Sequence, residues 1–314
     1  MSLIIFVLLG ILLIFTISFL RITITAGYVN GALFYANIVS LYGRNLVPTA
    51  ASSVRYVLAS WLTLNLGIET CLHSGLTPLE RIWWKLSFPL YLFILMILTT
   101  FIFRYCKCFS GAGLSTLQAF ATLMIMCYVS VLESCVELLG LVDISTLNGG
   151  SFKRWVSDPT LPYFQNTHGF LAFIACVLIV VYIIPLPLFL LSPSLVYRIK
   201  YLSKFNLFYD AFWNPFEPQF RFWLGLRLFF RWVAYSLIYF IDSPENTFVT
   251  DILLVVLLFF QLTFKPFIGK WRNALDGYFL LNLIVLFSGS LYFSSRAEMD
   301  SGDMRQQVLE KQGN

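Results

Sequence analysis

The sequence predicts an all-α integral membrane protein, a bundle of eight or nine transmembrane or re-entrant helices. Three observations predict this class. Of the 314 residues, 59% are hydrophobic and 12% are charged, whereas soluble domains have about 45–50% and about 25%. Aromatic residues reach 18%, which suits lipid-facing surfaces and the aromatic belts at membrane interfaces. The apolar residues also form runs long enough to cross a bilayer, at about 20 residues per helix.

These apolar runs follow one another along the whole chain, with polar connections between them. They cover residues 3–20, 24–43, 51–68, 86–103, 114–141, 168–192, 222–241, 248–267 and 276–294. The first run lacks a basic start and a cleavage pattern, so we predict a retained span. The run 24–43 contains Asn30 and Asn37, and a lipid-facing helix does not normally bury two carboxamides. We therefore predict a spanning, re-entrant or interior helix there, whose carboxamides serve either close helix contact or a polar path.

The predicted domain organisation is one polytopic domain over residues 1–294 and a flexible tail over 295–314. The tail has mixed charges and no apolar face, which is typical of flexible segments. The loop 142–167, with its glycines and prolines, is predicted to be an irregular cap. The stretch 193–221 mixes basic and aromatic side chains, a pattern that favours a helix among anionic headgroups. We expect this interfacial stretch to lie on the cytoplasmic leaflet.

Lysine and arginine residues in the loops predict the orientation in the membrane. If every run crosses once, the larger basic group marks the cytoplasmic face: Arg44, Arg55, Arg104, Lys107, Arg198, Lys200, Lys204, Arg221, Lys265, Lys270 and Arg272. The smaller group then marks the other face: Arg21, Arg81, Lys85, Lys153 and Arg154. We expect a multi-pass protein of the plasma membrane or an endomembrane. The side of the N-terminus stays open, because the run 24–43 is ambiguous.

A buried ion pair is predicted from three charged residues. Arg227 and Arg231 lie four residues apart inside an apolar run, and Asp276 opens the last run. Counted from Arg221 at about 1.5 Å per residue, Arg231 lies roughly 15 Å deep. If the first turns lie along the membrane surface instead, Arg231 is at the interface. Charges in hydrocarbon are costly unless they meet each other. We therefore predict a structural ion pair among Arg227, Arg231 and Asp276 in preference to a voltage sensor, which would show more regularly spaced cations.

Two carboxylates define a second candidate site. Glu133 and Glu137 lie four residues apart, so they project from one face of a helix. Together with Glu69, near the same face of the membrane, they are predicted to form a vestibule that attracts cations. The alternative is that they lie at the water interface and bind nothing.

Catalytic and metal-binding patterns are absent from the sequence. It contains two histidines, His73 and His168, and no HExxH, GxSxG, P-loop or GxGxxG motif. We therefore predict a protein that is not an enzyme and has no cofactor. Cys106 and Cys108, at the end of a span, are candidates for palmitoylation. The other cysteines are expected to be small buried hydrophobic residues.

Four stretches carry a family resemblance: LTLNLGIETCLHSGL at 62–76, FPLYLFILMIL at 88–98, NPFEPQFRFWLGLRLFFRW at 214–232 and KPFIGKWRNALDGYFLLNL at 265–283. In this order they resemble the membrane block that ends many large uncharacterised invertebrate and protist surface proteins. The helical block is more distantly similar to the TRP-like membrane regions of flavin-carrier proteins and polycystin-type channels. The resemblance implies a receptor-like or channel-like role and transfers no functional residues.

The sequence leaves three alternative functions. The first is a receptor-like or cation-channel-like, TRP-like module for signalling or transport. The second, suggested by the prolines at 181–193, is a lipid or small-hydrophobe transporter, and the third is a structural anchor that assembles with partners. A polar path from the carboxylates to Asn30 and Asn37 would favour conduction, whereas an apolar core with a side opening would favour lipid handling. Expected partners are membrane lipids and a second copy or another membrane protein, not nucleic acid.

Overall fold

The computed structural model describes residues 2–19, 27–42, 76–105, 116–145, 151–193, 206–241 and 245–312. This part of the chain is mostly helical. Its α-helices are α1 (Ser2–Phe19), α2 (Gly27–Tyr42), α3 (Pro78–Tyr105), α4 (Thr116–Leu139), α5 (Asn166–Leu178), α6 (Pro185–Leu191), α7 (Asn206–Trp213), α8 (Trp223–Phe240), α9 (Glu245–Phe264) and α10 (Lys270–Gln312). A π-helical turn, Ile179–Ile183, joins α5 to α6, and a 3-10 turn, Pro218–Phe220, precedes α8.

Five of the described helical segments are long and apolar enough to cross a membrane. They are Pro78–Ile102, Gln118–Leu139, Asn166–Leu191, Glu245–Phe264 and Lys270–Tyr292. A shorter apolar helix covers Val7–Ile17. The predicted helical, membrane-type architecture is therefore confirmed in its coarse form, but the predicted number of eight or nine spans is not. The predicted run 51–68 lies outside the described residues.

Helix α4 is the centre of the bundle. In an 18-residue apolar window of the segment Gln118–Leu139, 83% of the residues are buried, against 22–28% in the corresponding windows of the other four segments. Helix α4 packs against α1, α3, α5, α7 and α8. The outer helices expose large apolar side chains such as Phe173, Val181 and Phe259. The exposure of such apolar faces to water would be unfavourable, whereas their contact with lipid would not.

A small antiparallel sheet occupies the loop that was predicted to be an irregular cap. Strands β1 (Leu141–Ser145), β2 (Ser151–Trp155) and β3 (Asp158–Pro162) pair in the order β1-β2-β3. The register places Asp143 opposite Lys153, and a bulge interrupts the second pairing between Arg154 and Trp155. The all-α prediction is corrected here: Pro159 and Pro162, which suggested an irregular loop, lie in β3, and β3 is an edge strand, where proline is tolerated. We call this end of the bundle the sheet end.

Side chains of the sheet end cap the C-terminus of α4. The last four carbonyl groups of a helix lack partners within the helix. Three side chains donate hydrogen bonds to such carbonyls: Trp155 Nε1 to Glu137 (2.8 Å), His168 Nε2 to Leu138 (3.1 Å) and Tyr163 Oη to Leu139 (2.9 Å). The backbone N–H of Phe164 donates to His168 Nδ1, which leaves the ring proton on Nε2. Burial raises the pKa of Tyr163, so its hydroxyl stays a donor at neutral pH.

Helices α8 and α10 begin at the end of the bundle that lies opposite the sheet end. We call it the opposite end. Helix α5 runs antiparallel to α4, so α6 ends far from the sheet. The start of α8 packs on the end of α6, where a β-carbon on Gly225 would lie 2.6 Å from the backbone nitrogen of Leu191. Only a glycine permits this approach of two backbones. The ion pair between Arg227 and Asp276 places the start of α10 at the same end.

Helix α2 runs opposite to the direction that would hold if every apolar run crossed the membrane once, a condition that the loop charges left open. Its first residue, Gly27, lies against Phe267 and Arg272 at the opposite end, and Gly31 lies beside Asp276. Helix α2 is thus parallel to α10, and it ends towards the sheet. The loop charges left the crossing of the run 24–43 and the side of the N-terminus open, and the contacts of Gly27 and Gly31 with the start of α10 now give the direction of α2.

Two segments differ from the predicted boundaries. Helix α10 continues to Gln312, so it includes most of the predicted tail 295–314. Within the predicted interfacial stretch 193–221, the helix α7 packs against α4, and its residues Phe212 and Trp213 are buried. Residues 194–205 of that stretch lie outside the described part of the chain.

Candidate functional site

The first candidate site is a cluster of buried charged side chains, Arg227, Arg231 and Asp276, enclosed by α2, α8 and α10. We call it the buried charge centre. A guanidinium nitrogen of Arg227, Nη2, donates a hydrogen bond to Oδ2 of Asp276. Arg227 is completely buried and Asp276 is 2% exposed. A buried carboxylate and guanidinium offset part of each other's cost of leaving water. The pair therefore ties α8 to α10 at a point where either charge alone would be strongly unfavourable.

Aromatic rings surround the two guanidinium groups. The Cζ atom of Arg227 lies 5.0 Å from the ring centroid of Phe34 and 5.4 Å from that of Phe267. The Cζ atom of Arg231 lies 5.3 Å from the ring of Phe34. A desolvated cation near the face of a ring gains about 2 kcal/mol. Phe34, which α2 contributes, therefore stabilises both cations.

Arg231 is one helical turn beyond Arg227 and is not joined to Asp276 among the described residues. It is completely buried, and its Nε, Nη1 and Nη2 atoms have no hydrogen-bond partner there. The structure thus brings Arg227 and Asp276 together and leaves Arg231 beside them. The three residues carry one positive charge in excess.

A polar stripe of α2 belongs to the same centre. Asn30 and Asn37 are buried, and they share a helix face with Phe34 because the spacing is four and then three residues. Both polar side-chain atoms of Asn30, and Oδ1 of Asn37, have no hydrogen-bond partner in the described structure. The predicted polar residues of α2 therefore face the interior of the bundle. The sequence offers no signal that places Phe34 between the two arginines.

The carboxylates of α4 lie at the sheet end, where a lysine of α3 meets them. The Nζ atom of Lys85 is 3.4 Å from Glu137 and 3.9 Å from Glu133. The hydroxyl of Ser157 donates to the other oxygen of Glu137. The predicted vestibule thus contains a cation between its two described acids, and Lys85 is the partner that sequence reasoning missed. Glu69, Cys106 and Cys108 lie outside the described residues.

Apolar packing separates these two polar regions along α4. Between Glu133 and Tyr128, which is close enough to Arg231 for an electrostatic interaction, the residues Val129 and Leu132 are each 1% exposed. The hydroxyl of Ser134 donates back to the carbonyl of Ser130 in the same helix.

The second candidate site is an apolar groove that opens sideways between α3, α4 and α5. Its volume is about 270 Å³. The lining consists of Leu86, Pro89, Leu90, Phe93, Phe120, Met124, Val131, Leu178 and Tyr182. The hydroxyl of Tyr182 donates to the carbonyl of Met124 at 2.5 Å. The polar atom of the lining is therefore already bound, and the groove offers an occupant an apolar surface.

Backbone irregularities lie on two sides of the groove. Pro89 lies inside α3, where it removes a helical hydrogen bond and bends the helix. The π-helical turn Ile179–Ile183 lies between α5 and α6, and π-turns occur often at functional sites. Pro187 has no N–H to donate to the carbonyl of Ile183, and the hydroxyl of Tyr128 donates to it instead at 3.1 Å.

The chain matches no protein-family model, no curated protein and no solved structure. The resemblance to membrane blocks of large surface proteins and to TRP-like regions therefore stays a prediction. In the described ranges, no group of three or more His, Cys, Asp or Glu side chains is arranged to hold a metal ion.

Proposed function

We propose that this membrane protein binds one hydrocarbon chain of a lipid, or a similar small hydrophobe, as the binding step of a transporter. The observation that carries the proposal is the side-opening apolar groove between α3, α4 and α5. Ligand pockets for drug-sized molecules have volumes of about 300–1,000 Å³. A groove of about 270 Å³ suits a single chain better than a whole lipid.

The physics of this binding differs from that in water. A chain that leaves surrounding lipid for the groove gains no hydrophobic free energy, because both environments are apolar. Close packing against the walls must favour it, through many dispersion contacts of about 0.1–0.2 kcal/mol each. The groove is therefore expected to select chains by shape, through the ring of Pro89 and the rings of Phe93 and Phe120 in its lining.

The other two functions stay predictions. The receptor-like or cation-channel-like role would gain support from a polar path between the carboxylates and Asn30. The anchor role would gain support from tight packing without a groove. The apolar packing of Val129 and Leu132 and the groove favour lipid handling over both.

The test is photochemical labelling in lipid nanodiscs with a phosphatidylcholine that carries a diazirine in one acyl chain. The proposal predicts preferential labelling of groove residues such as Leu178 and Met124. The substitution Leu178→Trp would fill the groove and reduce that labelling several-fold.

The matched control is Ile97→Trp, on the lipid-exposed face of α3 and outside the groove lining. It should leave the labelling of the groove unchanged. Equal labelling of the groove and of exposed faces in the wild type, or unchanged labelling in Leu178→Trp, would contradict the proposal.

A further inference from the structure

The buried charge centre has an electrostatic imbalance that the described chain does not correct. Arg227 and Arg231 contribute two positive charges, and Asp276 contributes one negative charge that already binds Arg227. The described helices α2 and α8 contain no carboxylate. The two carboxylates of α4 lie at the sheet end beside Lys85.

In the same centre, the buried hydrogen-bond donors without a partner among the described residues outnumber the acceptors without one. The donors are all three nitrogens of the Arg231 guanidinium, Nε and Nη1 of Arg227 and Nδ2 of Asn30, and the acceptors are Asn30 Oδ1, Asn37 Oδ1 and Asp276 Oδ1. Buried polar groups in native proteins nearly always have a partner, and an exception indicates an ion or a water molecule. A guanidinium in hydrocarbon is among the most expensive groups to leave alone.

The neighbours of Arg231 restrict what can serve as the acceptor. Phe34 of α2 covers one face of the guanidinium at 5.3 Å. Tyr128 of α4 and Tyr235 of α8 are close enough to interact with its charge, as is Arg227, which repels it. A neutral acceptor would satisfy a donor but would leave the repulsion between the two arginines. An anionic acceptor would remove both problems.

We propose that Arg231 is the centre of a binding site for a small anionic group inside the bundle, between α2, α4 and α8. The anion accepts hydrogen bonds from the guanidinium of Arg231, and it neutralises the excess charge. The shared chemistry is a compact monovalent acceptor, supplied either by a free halide or by the phosphate of an anionic lipid. This site is distinct from the groove that binds the hydrocarbon chain.

The test measures the thermal unfolding midpoint of purified protein in phosphatidylcholine nanodiscs. One arm replaces sodium gluconate by sodium chloride at constant ionic strength, and the other replaces part of the phosphatidylcholine by phosphatidylglycerol in gluconate. The proposal predicts that one arm raises the midpoint by roughly 2–4 °C, and that arm identifies the source of the anion. The substitution Arg231→Gln should abolish the rise, while Arg81→Gln, an exposed arginine at the start of α3, should keep it.

A second measurement does not depend on the folding of a variant. If chloride is the effective arm, wild-type protein should retain radioactive chloride in equilibrium dialysis, and gluconate should not compete. If phosphatidylglycerol is the effective arm, that lipid should copurify in near one-to-one ratio from mixed nanodiscs extracted with detergent. The proposal is overturned if neither arm shifts the wild-type unfolding midpoint. That result would indicate that water molecules accept the hydrogen bonds of Arg231 instead of an anion. It is also overturned if Arg231→Gln retains the full rise.

Discussion

Gly31 of α2 lies directly beside the carboxylate of Asp276, so that a β-carbon on Gly31 would be only 2.7 Å from Oδ1. The ring of Phe279 would lie 3.3 Å from the same β-carbon. Small residues allow membrane helices to approach closely. In this protein, the approach of α2 to α10 also encloses the ion pair between Asp276 and Arg227.

The substitution Gly31→Ala should therefore disturb the ion pair. The new methyl group would push the carboxylate away from Arg227 or separate the two helices, and overpacking of this kind costs about 1–3 kcal/mol. We expect a lower free energy of unfolding, measured by denaturation in mixed micelles. The control is Gly289→Ala in α10, where a β-carbon meets nothing within 4 Å and should be neutral or stabilise the helix by up to about 1 kcal/mol. An equal response of the two variants would contradict the close contact.

The side-chain hydrogen bonds to the last carbonyl groups of α4 predict a second effect. The substitution Trp155→Phe removes the N–H that donates to the carbonyl of Glu137 at 2.8 Å and leaves that carbonyl only the longer hydrogen bond from the backbone N–H of Gly140, at 3.3 Å. The loss of one such hydrogen bond costs about 0.5–1.5 kcal/mol. We expect a lower thermal unfolding midpoint in detergent. Trp271→Phe serves as the control, because Trp271 is 88% exposed. A midpoint unaffected by Trp155→Phe would show that water satisfies this carbonyl equally well.

The position of Lys85 predicts a third effect. The substitution Lys85→Met should leave Glu133 and Glu137 without the cation that lies between them, and their repulsion should then lower the free energy of unfolding by about 1–2 kcal/mol. Adding Glu137→Gln should restore part of the loss, because one of the two like charges is gone. If Glu137→Gln makes the Lys85→Met variant less stable still, the lysine does not serve to compensate the carboxylates.

Much of the helical framework could be predicted from the sequence. Apolar runs of about 20 residues correspond to the described helices, because hydrocarbon leaves few other structures for a backbone. The cost of charge in lipid likewise singled out Arg227, Arg231 and Asp276. In each case a local property of the sequence carried the information.

Other features depend on contacts between distant residues, and the sequence could not show them. The contact of Phe34 with both arginines requires the direction of α2, which follows from Gly27 and Gly31 packing on α10. The groove requires Pro89 and the π-helical turn to face the same space. The partnership of Lys85 with Glu137 joins residues 52 positions apart. Each of these results from packing between helices, not from a pattern within one.

The most direct test of this account is a double-mutant cycle on Arg227 and Asp276 in lipid nanodiscs. The substitutions Arg227→Met and Asp276→Leu are measured alone and together, with the free energy of unfolding as the readout. Each single substitution strands a buried charge and should cost about 3–5 kcal/mol. The double variant should cost clearly less than the sum, with a coupling of at least about 1 kcal/mol. Strictly additive losses would contradict the claim that these two charges are stable in the membrane because they meet each other.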